Sequence, residues 1–330
     1  RRIYILHADP PTAGTQAPST RTPFLSPNPF TPLSYTKTPN LDSIAEADTA
    51  ALYVQDQIEL SPQWKALLGV RFEHYESEAR TVRASAVSGA AVGPFSRTDN
   101  MLSGRAGLIW QPSRAQSYYI SWGNSYNPSG ELGTYGGTAA TQLNAVNQNV
   151  EPEKNQNYEA GAHWDVLTGL QIRSAIFRNE KANARMADPA GTGLTVLEGK
   201  RRVEGIELEA AGTILPNWDV YSGIAVMDGE IVNGPANVLG KRPLGVAKIA
   251  GNVWTVYRLG GGWEIGGGAR GQKGTELTDQ NIMGATIPSY VVFDGTIAYV
   301  QKQYEIRLNV YNIGDKIYYY GGYNKYYTEA

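Results

Sequence analysis

Basic and aromatic side chains gather where the chain is otherwise rich in glycine and polar residues. Arg178, Lys181 and Arg185 stand before one such stretch, and Lys200, Arg201 and Arg202 stand after it. Tyr318, Tyr319, Tyr320, Tyr323, Tyr326 and Tyr327 crowd another near residue 330. Guanidinium groups and aromatic rings together can hold an anionic, aromatic ligand through charge and stacking. The bland alternative is that these cations pair with lipid phosphates, or with acids such as Glu207 and Glu209.

Other chemistries have less to build on. His7, His74 and His163 are scattered, and the chain has no cysteine, so neither a metal site nor a catalytic triad emerges from spacing. No nucleophile elbow, HExxH or paired-acid motif stands out. Gly266-Gly267-Gly268-Ala269-Arg270-Gly271 satisfies G-x-G-x-x-G. A dinucleotide site needs a helix after that turn. Instead the chain continues through Gln272-Lys273-Gly274 into a polar stretch without helical period, so close packing of neighbouring strands is the simpler use of the glycines. A formal net charge of -2 argues against a nucleic-acid partner.

The elements that must position these residues are strands. In Tyr304-Glu305-Ile306-Arg307-Leu308-Asn309-Val310, apolar and polar residues alternate with period two. The pattern returns about a dozen times in segments of roughly ten residues, as expected for transmembrane strands with one face in lipid and one in a wet lumen. Tight turns are expected near Ser61-Pro62-Gln63, Gln111-Pro112-Ser113-Arg114, Leu167-Thr168-Gly169, Leu215-Pro216-Asn217, Leu259-Gly260-Gly261 and Gln301-Lys302-Gln303. Long polar connections are expected at 8–46, 79–99, 127–155, 181–200, 230–245, 273–287 and 315–330. Trp64, Trp110, Trp164, Trp218 and Trp263 lie beside the tight turns, as an aromatic girdle at a bilayer interface would. Asp56 and Asp294 fall on mostly apolar faces and are expected towards an interface. The fold class is therefore all-β, an antiparallel transmembrane barrel. A soluble β-sandwich that binds carbohydrate is the competing architecture, and it requires a second sheet over each apolar face.

Several segments carry a resemblance. Glu151-Pro152-Glu153-Lys154 leading into Asn157-Tyr158-Glu159-Ala160-Gly161 resembles a strand entry of TonB-dependent siderophore receptors. Phe177 to Arg185, Gly199 to Glu209, and Asn312-Ile313-Gly314-Asp315-Lys316-Ile317-Tyr318-Tyr319 are similar to further segments of that family, in order and spacing. The runs Glu131-Leu132-Gly133-Thr134-Tyr135 and Pro243-Leu244-Gly245-Val246-Ala247 look closest to its catecholate receptors.

The resemblance implies a 22-stranded barrel filled by an N-terminal plug with a TonB box, of which residues 1–330 would be a C-terminal portion lacking plug and closing strand. It implies an outer-membrane receptor of a Gram-negative bacterium for ferric siderophores, catecholates first, energised by TonB with ExbB and ExbD. Iron would stay in the siderophore complex, with no cofactor held by the protein itself. Lipid and lipopolysaccharide would surround the barrel. Candidate ligand contacts are Arg178, Arg185, Arg201, Tyr135, Tyr319 and Tyr323. Receptors for a glycan or an organometallic cofactor, and an outer-membrane enzyme, remain as alternatives.

Overall fold

The computed structural model describes the backbone at residues 2–9, 38–84, 93–128, 150–187, 195–323 and 326–329, and side chains at 44–80, 93–128, 150–184 and 199–319. Strands β1 (Arg2–Asp9), β2 (Thr38–Ser61), β3 (Trp64–Ala84), β4 (Phe95–Ser113), β5 (Gln116–Asn127), β6 (Glu153–Leu167), β7 (Leu170–Ala187) and β8 (Thr195–Leu215) come in order. Then come β9 (Trp218–Asn233), β10 (Ile249–Gly260), β11 (Trp263–Gln272), the short pair β12 (Thr275–Glu276) and β13 (Thr286–Ile287), β14 (Tyr290–Val300) and β15 (Glu305–Val310). A last pair is β16 (Tyr319–Tyr323) and β17 (Tyr326–Glu329).

Thirteen of these strands form one sheet in which β1 to β11, β14 and β15 pair with their neighbours in that order, all antiparallel. All six tight turns fall where the sequence places them. Asn217, with φ of 68°, supplies the left-handed residue of the β8–β9 turn. The strands are longer than expected: β2 runs 24 residues, β3 21 and β8 21. They continue into segments whose polar composition reads as loop, because the backbone ladder stays paired there and small buried contacts, such as Ala45 and Ala79 with Phe95, support it.

Register sorts the side chains into two faces, since directly paired residues share a face. Leu52, Phe72 and Leu102 align across β2 to β4, and Leu108, Ile120, Ala160, Ile176, Ile206 and Val226 align across β4 to β9. This apolar face is bare: Leu52 is 77% exposed, Leu102 60% and Ile206 59%. The two smaller sheets have two strands each, so among the described residues no second sheet covers it, as a sandwich would require.

Both ends of the band are marked. At the turn end Trp64 stacks on Trp110 at 6.0 Å and Trp110 on Tyr118 at 5.3 Å, with Trp164 next against Tyr118 at 6.1 Å. Trp218 and Trp263 continue the row with Tyr257 and Tyr299. At the other end the aliphatic residues give way to the rung Tyr158, Arg178, Glu204 and Asp228. Asp294 departs from the expectation. Register places it on the polar face, where Oδ2 meets Arg270 Nε at 3.1 Å. The run Val291-Val292-Phe293 is apolar on both faces and hides the parity. Asp56 does stand on the apolar face, between Val54 and Ile58.

Candidate functional site: a polar cavity on the inner wall

The polar face holds a cavity of about 830 Å³ whose lining runs from Gln55 on β2 to Val203 on β8. Seven strands laid flat would separate those edges by about 29 Å at the usual strand spacing, so a shared cavity requires the sheet to curl with its polar face inside. One rung of the wall is Gln55, Gly69, Arg105, Gly123, Asn157, Asn179 and Val203. Asn157 Nδ2 donates to Asn179 Oδ1 at 2.7 Å. The next rung carries Ser125, Asn155, Lys181 and Arg201. The wall is thus amide-rich, with spaced cations and gaps at the glycines.

The cations differ in what they already hold. Arg71 is bound to Glu73 at 2.5 Å and Lys181 to Glu153 at 2.7 Å. Arg201 Nη2 donates to Asp279 Oδ2 at 2.6 Å. Arg105 has no hydrogen-bond or ion-pair partner among the described residues, and its side chain lies across Gly69. A Cβ at Gly69 would come within 3.1 Å of Arg105 Cγ, so the glycine lets the guanidinium lie along the wall.

The opposite lip is apolar. Pro243, Leu244 and Val246, from the β9–β10 connection, reach the cavity, and Pro243 and Val246 pack over Gly229. That connection is bonded to the one between β11 and β14. Asn281 and Arg242 exchange two bonds, Oδ1 accepting from Arg242 N at 3.2 Å and Nδ2 donating to Arg242 O at 2.9 Å. Gly245 N donates to Glu276 O at 3.0 Å and Leu244 N to Asp279 Oδ1 at 3.0 Å.

Of the candidate ligand contacts whose side chains are described, Arg178, Arg201 and Tyr319, Arg201 is placed in the cavity lining, beside Lys181. Arg178 stands on the opposite, apolar face, paired with Glu204. Tyr319 packs against Leu277, Ala285 and Ile287 around the β12–β13 hairpin and does not line the cavity. The side chains of Arg185 and Tyr323 and the whole of Tyr135 lie outside the described residues. Arg105 was missed by sequence reasoning, although its period-two position with Ser103 and Gly107 marks it as wall-facing. The glycine run 266–271 lies within β11 with no helix after it, which leaves nothing for a dinucleotide.

A wall of paired strands around a polar cavity is a fold with known relatives. The family described as "TonB dependent receptor-like, beta-barrel" matches residues 10–313. The chain belongs to the TonB-dependent receptor β-barrel family. It is 31% identical over 85% of its length to the probable TonB-dependent receptor BfrD of Bordetella pertussis, covering 39% of that protein. It is likewise 31% identical over 88% of its length to the probable TonB-dependent siderophore receptor PiuA of Acinetobacter baumannii, covering 40% of it. The crystal structure of PiuA superposes with a TM-score of 0.82 at 30% identity, over 92% of this chain and 44% of that one. The catecholate siderophore receptor Fiu of Escherichia coli is 26% identical over 83% of the chain and 38% of Fiu. The chain therefore spans about two fifths of the length of these TonB-dependent relatives. The family is one of receptors, not enzymes.

Proposed function

We propose that the chain is part of the barrel wall of an outer-membrane receptor, in a Gram-negative bacterium, that takes up ferric siderophores, catecholates first. The observation that carries this is one sheet with two unlike faces: a bare aliphatic band on one side and an amide-lined cavity on the other. On β9 the band runs from Trp218 to Val226 and ends at Asp228, a span suited to the 9–11 residues of a tilted transmembrane strand. Lipid and lipopolysaccharide would cover it, and the rung of Arg178 and Glu204 would meet their headgroups.

Uptake needs no covalent step. Iron stays chelated by the siderophore, and the wall recognises the outside of the complex through Arg105, the amides of Asn157 and Asn179, and the apolar lip at Leu244. A plug in the complete receptor, coupled to TonB, ExbB and ExbD, would open the path. The identity with Fiu and the cationic wall support a catecholate ligand, whose ferric complex is anionic.

The test is uptake by cells carrying the complete receptor, with radiolabelled ferric tris-catecholate, ferric trihydroxamate, an oligosaccharide and a corrinoid compared. Uptake of the catecholate complex alone is the expected result. Uptake of the trihydroxamate alone overturns the catecholate preference, and uptake of only the oligosaccharide or the corrinoid overturns iron transport. In the same receptor, Arg105→Gln is expected to weaken tris-catecholate binding about tenfold, the loss of one charge-assisted hydrogen bond. Equal affinity would remove Arg105 from the site. Arg178→Gln, on the outer face, should leave binding unchanged.

A further inference from the structure

We infer that Asp279 is an internal competitor of the ligand's anionic group at Arg201, and so sets how strongly anionic a ligand must be to enter. The inference rests on the uptake reading above. Arg201 projects from β8 into the cavity, and its carboxylate partner comes from 78 residues further along the chain, on the β11–β14 connection. The other paired cations behave differently. Glu73 shares a strand with Arg71, and Glu153 lies on β6, which pairs directly with the β7 that carries Lys181. Those pairs move only with the wall.

Asp279 holds Arg201 by one nitrogen. The guanidinium is a planar fork built for two-point contact with an anion. Here Nη2 is used, while Nε is closed off from solvent and has no partner. The pair is thus incompletely satisfied, and an anionic oxygen of the ligand can take the place of Asp279 Oδ2 on Nη2 once Asp279 withdraws.

The lip is built to survive that exchange. Asp279 Oδ1 binds Leu244 N, and the bonds of Asn281 to Arg242, of Gly245 to Glu276 and of Lys241 to Gln280 tie the two connections without using Arg201. Losing the Arg201 contact therefore leaves Pro243 and Leu244 presented as a unit. The ligand sees Arg201 only in the fraction of molecules in which Asp279 has released it, so its apparent affinity falls by that fraction.

The sign of one substitution decides the matter. Asp279→Asn keeps an oxygen for Leu244 N and removes the charge that holds Arg201. In the complete receptor it is expected to bind ferric tris-catecholate about fivefold more tightly. Arg201→Gln should weaken binding, and the double variant should bind no better than Arg201→Gln alone. Neutral ferric trihydroxamate should show little change with Asp279→Asn. Unchanged or weaker tris-catecholate binding by Asp279→Asn overturns the inference, because a purely structural tie would give that sign. A parent receptor that binds no ferric chelate at all overturns the uptake reading as well, and is distinguished by its wild-type control.

Discussion

Ile224→Arg is expected to lower the unfolding free energy of the membrane-inserted receptor by about 2–4 kcal/mol, the cost of a cation on the lipid face near mid-bilayer. Ile224 lies on the bare face of β9, paired with Leu208 on β8 and Gly251 on β10, and is 48% exposed. Trp218 marks the turn end of that face and Asp228 its charged end, so Ile224 lies inside the band with no nearby headgroup to solvate a guanidinium. The adjacent Ala225 points the other way and pairs with Glu207. Ala225→Arg gains an acidic neighbour and water, and is expected to cost under about 1 kcal/mol. Urea titration of the receptor in lipid vesicles measures both. Equal costs at the two positions would mean that both faces meet the same solvent, and the barrel reading would fail.

That contrast rests on parity, the most legible property of the sequence. The turns at Ser61-Pro62-Gln63 and Leu215-Pro216-Asn217 are readable because proline and asparagine fix local backbone geometry without help from tertiary contacts. Trp64, Trp110, Trp164, Trp218 and Trp263 are readable because each lies within a few residues of such a turn. Strand length is not. Residues 79–84 look like loop, yet they pair with β2 from Ala45 back to Leu41, because the backbone ladder continues there and Ala79 packs with Ala45 and Phe95.

The site is only partly legible, for two reasons. Composition groups Arg178 with Arg201 because both are cations near a long connection, although period two already places Arg178 with Ile176 on the apolar face. That signal is present in the sequence and outweighed by composition. The tie between Arg201 and Asp279 has no signal at all: strand order brings β8 beside β9, but the folding of two connections against each other depends on bonds such as Asn281 to Arg242 that no local pattern announces. Arg105 lies between these cases. Its face can be inferred from Ser103 and Gly107, but its lack of a partner cannot.

The glycines of β11 give the second large effect. Gly268→Val is expected to block assembly of the β10–β11 pair, and Gly268→Ala to cost about 1–3 kcal/mol, as overpacking in a tight site does. Gly268 pairs with Trp254 and Asp294 on the polar face. A Cβ there would lie 2.2 Å from Val253 O and 2.7 Å from Trp254 Cε3. Trimming Trp254 to alanine removes the second clash but not the first, which is with backbone, so the Trp254→Ala change should not rescue Gly268→Ala. Gly267, one residue away and facing outward, meets only Asp294 O at 3.3 Å. Gly267→Ala should therefore assemble almost normally. Heat-modified mobility on SDS gels, with outer-membrane yield, separates the two. If Gly268→Val assembles as well as Gly267→Ala, close strand approach does not explain the glycine run, and a role for its exposed backbone would have to be sought instead.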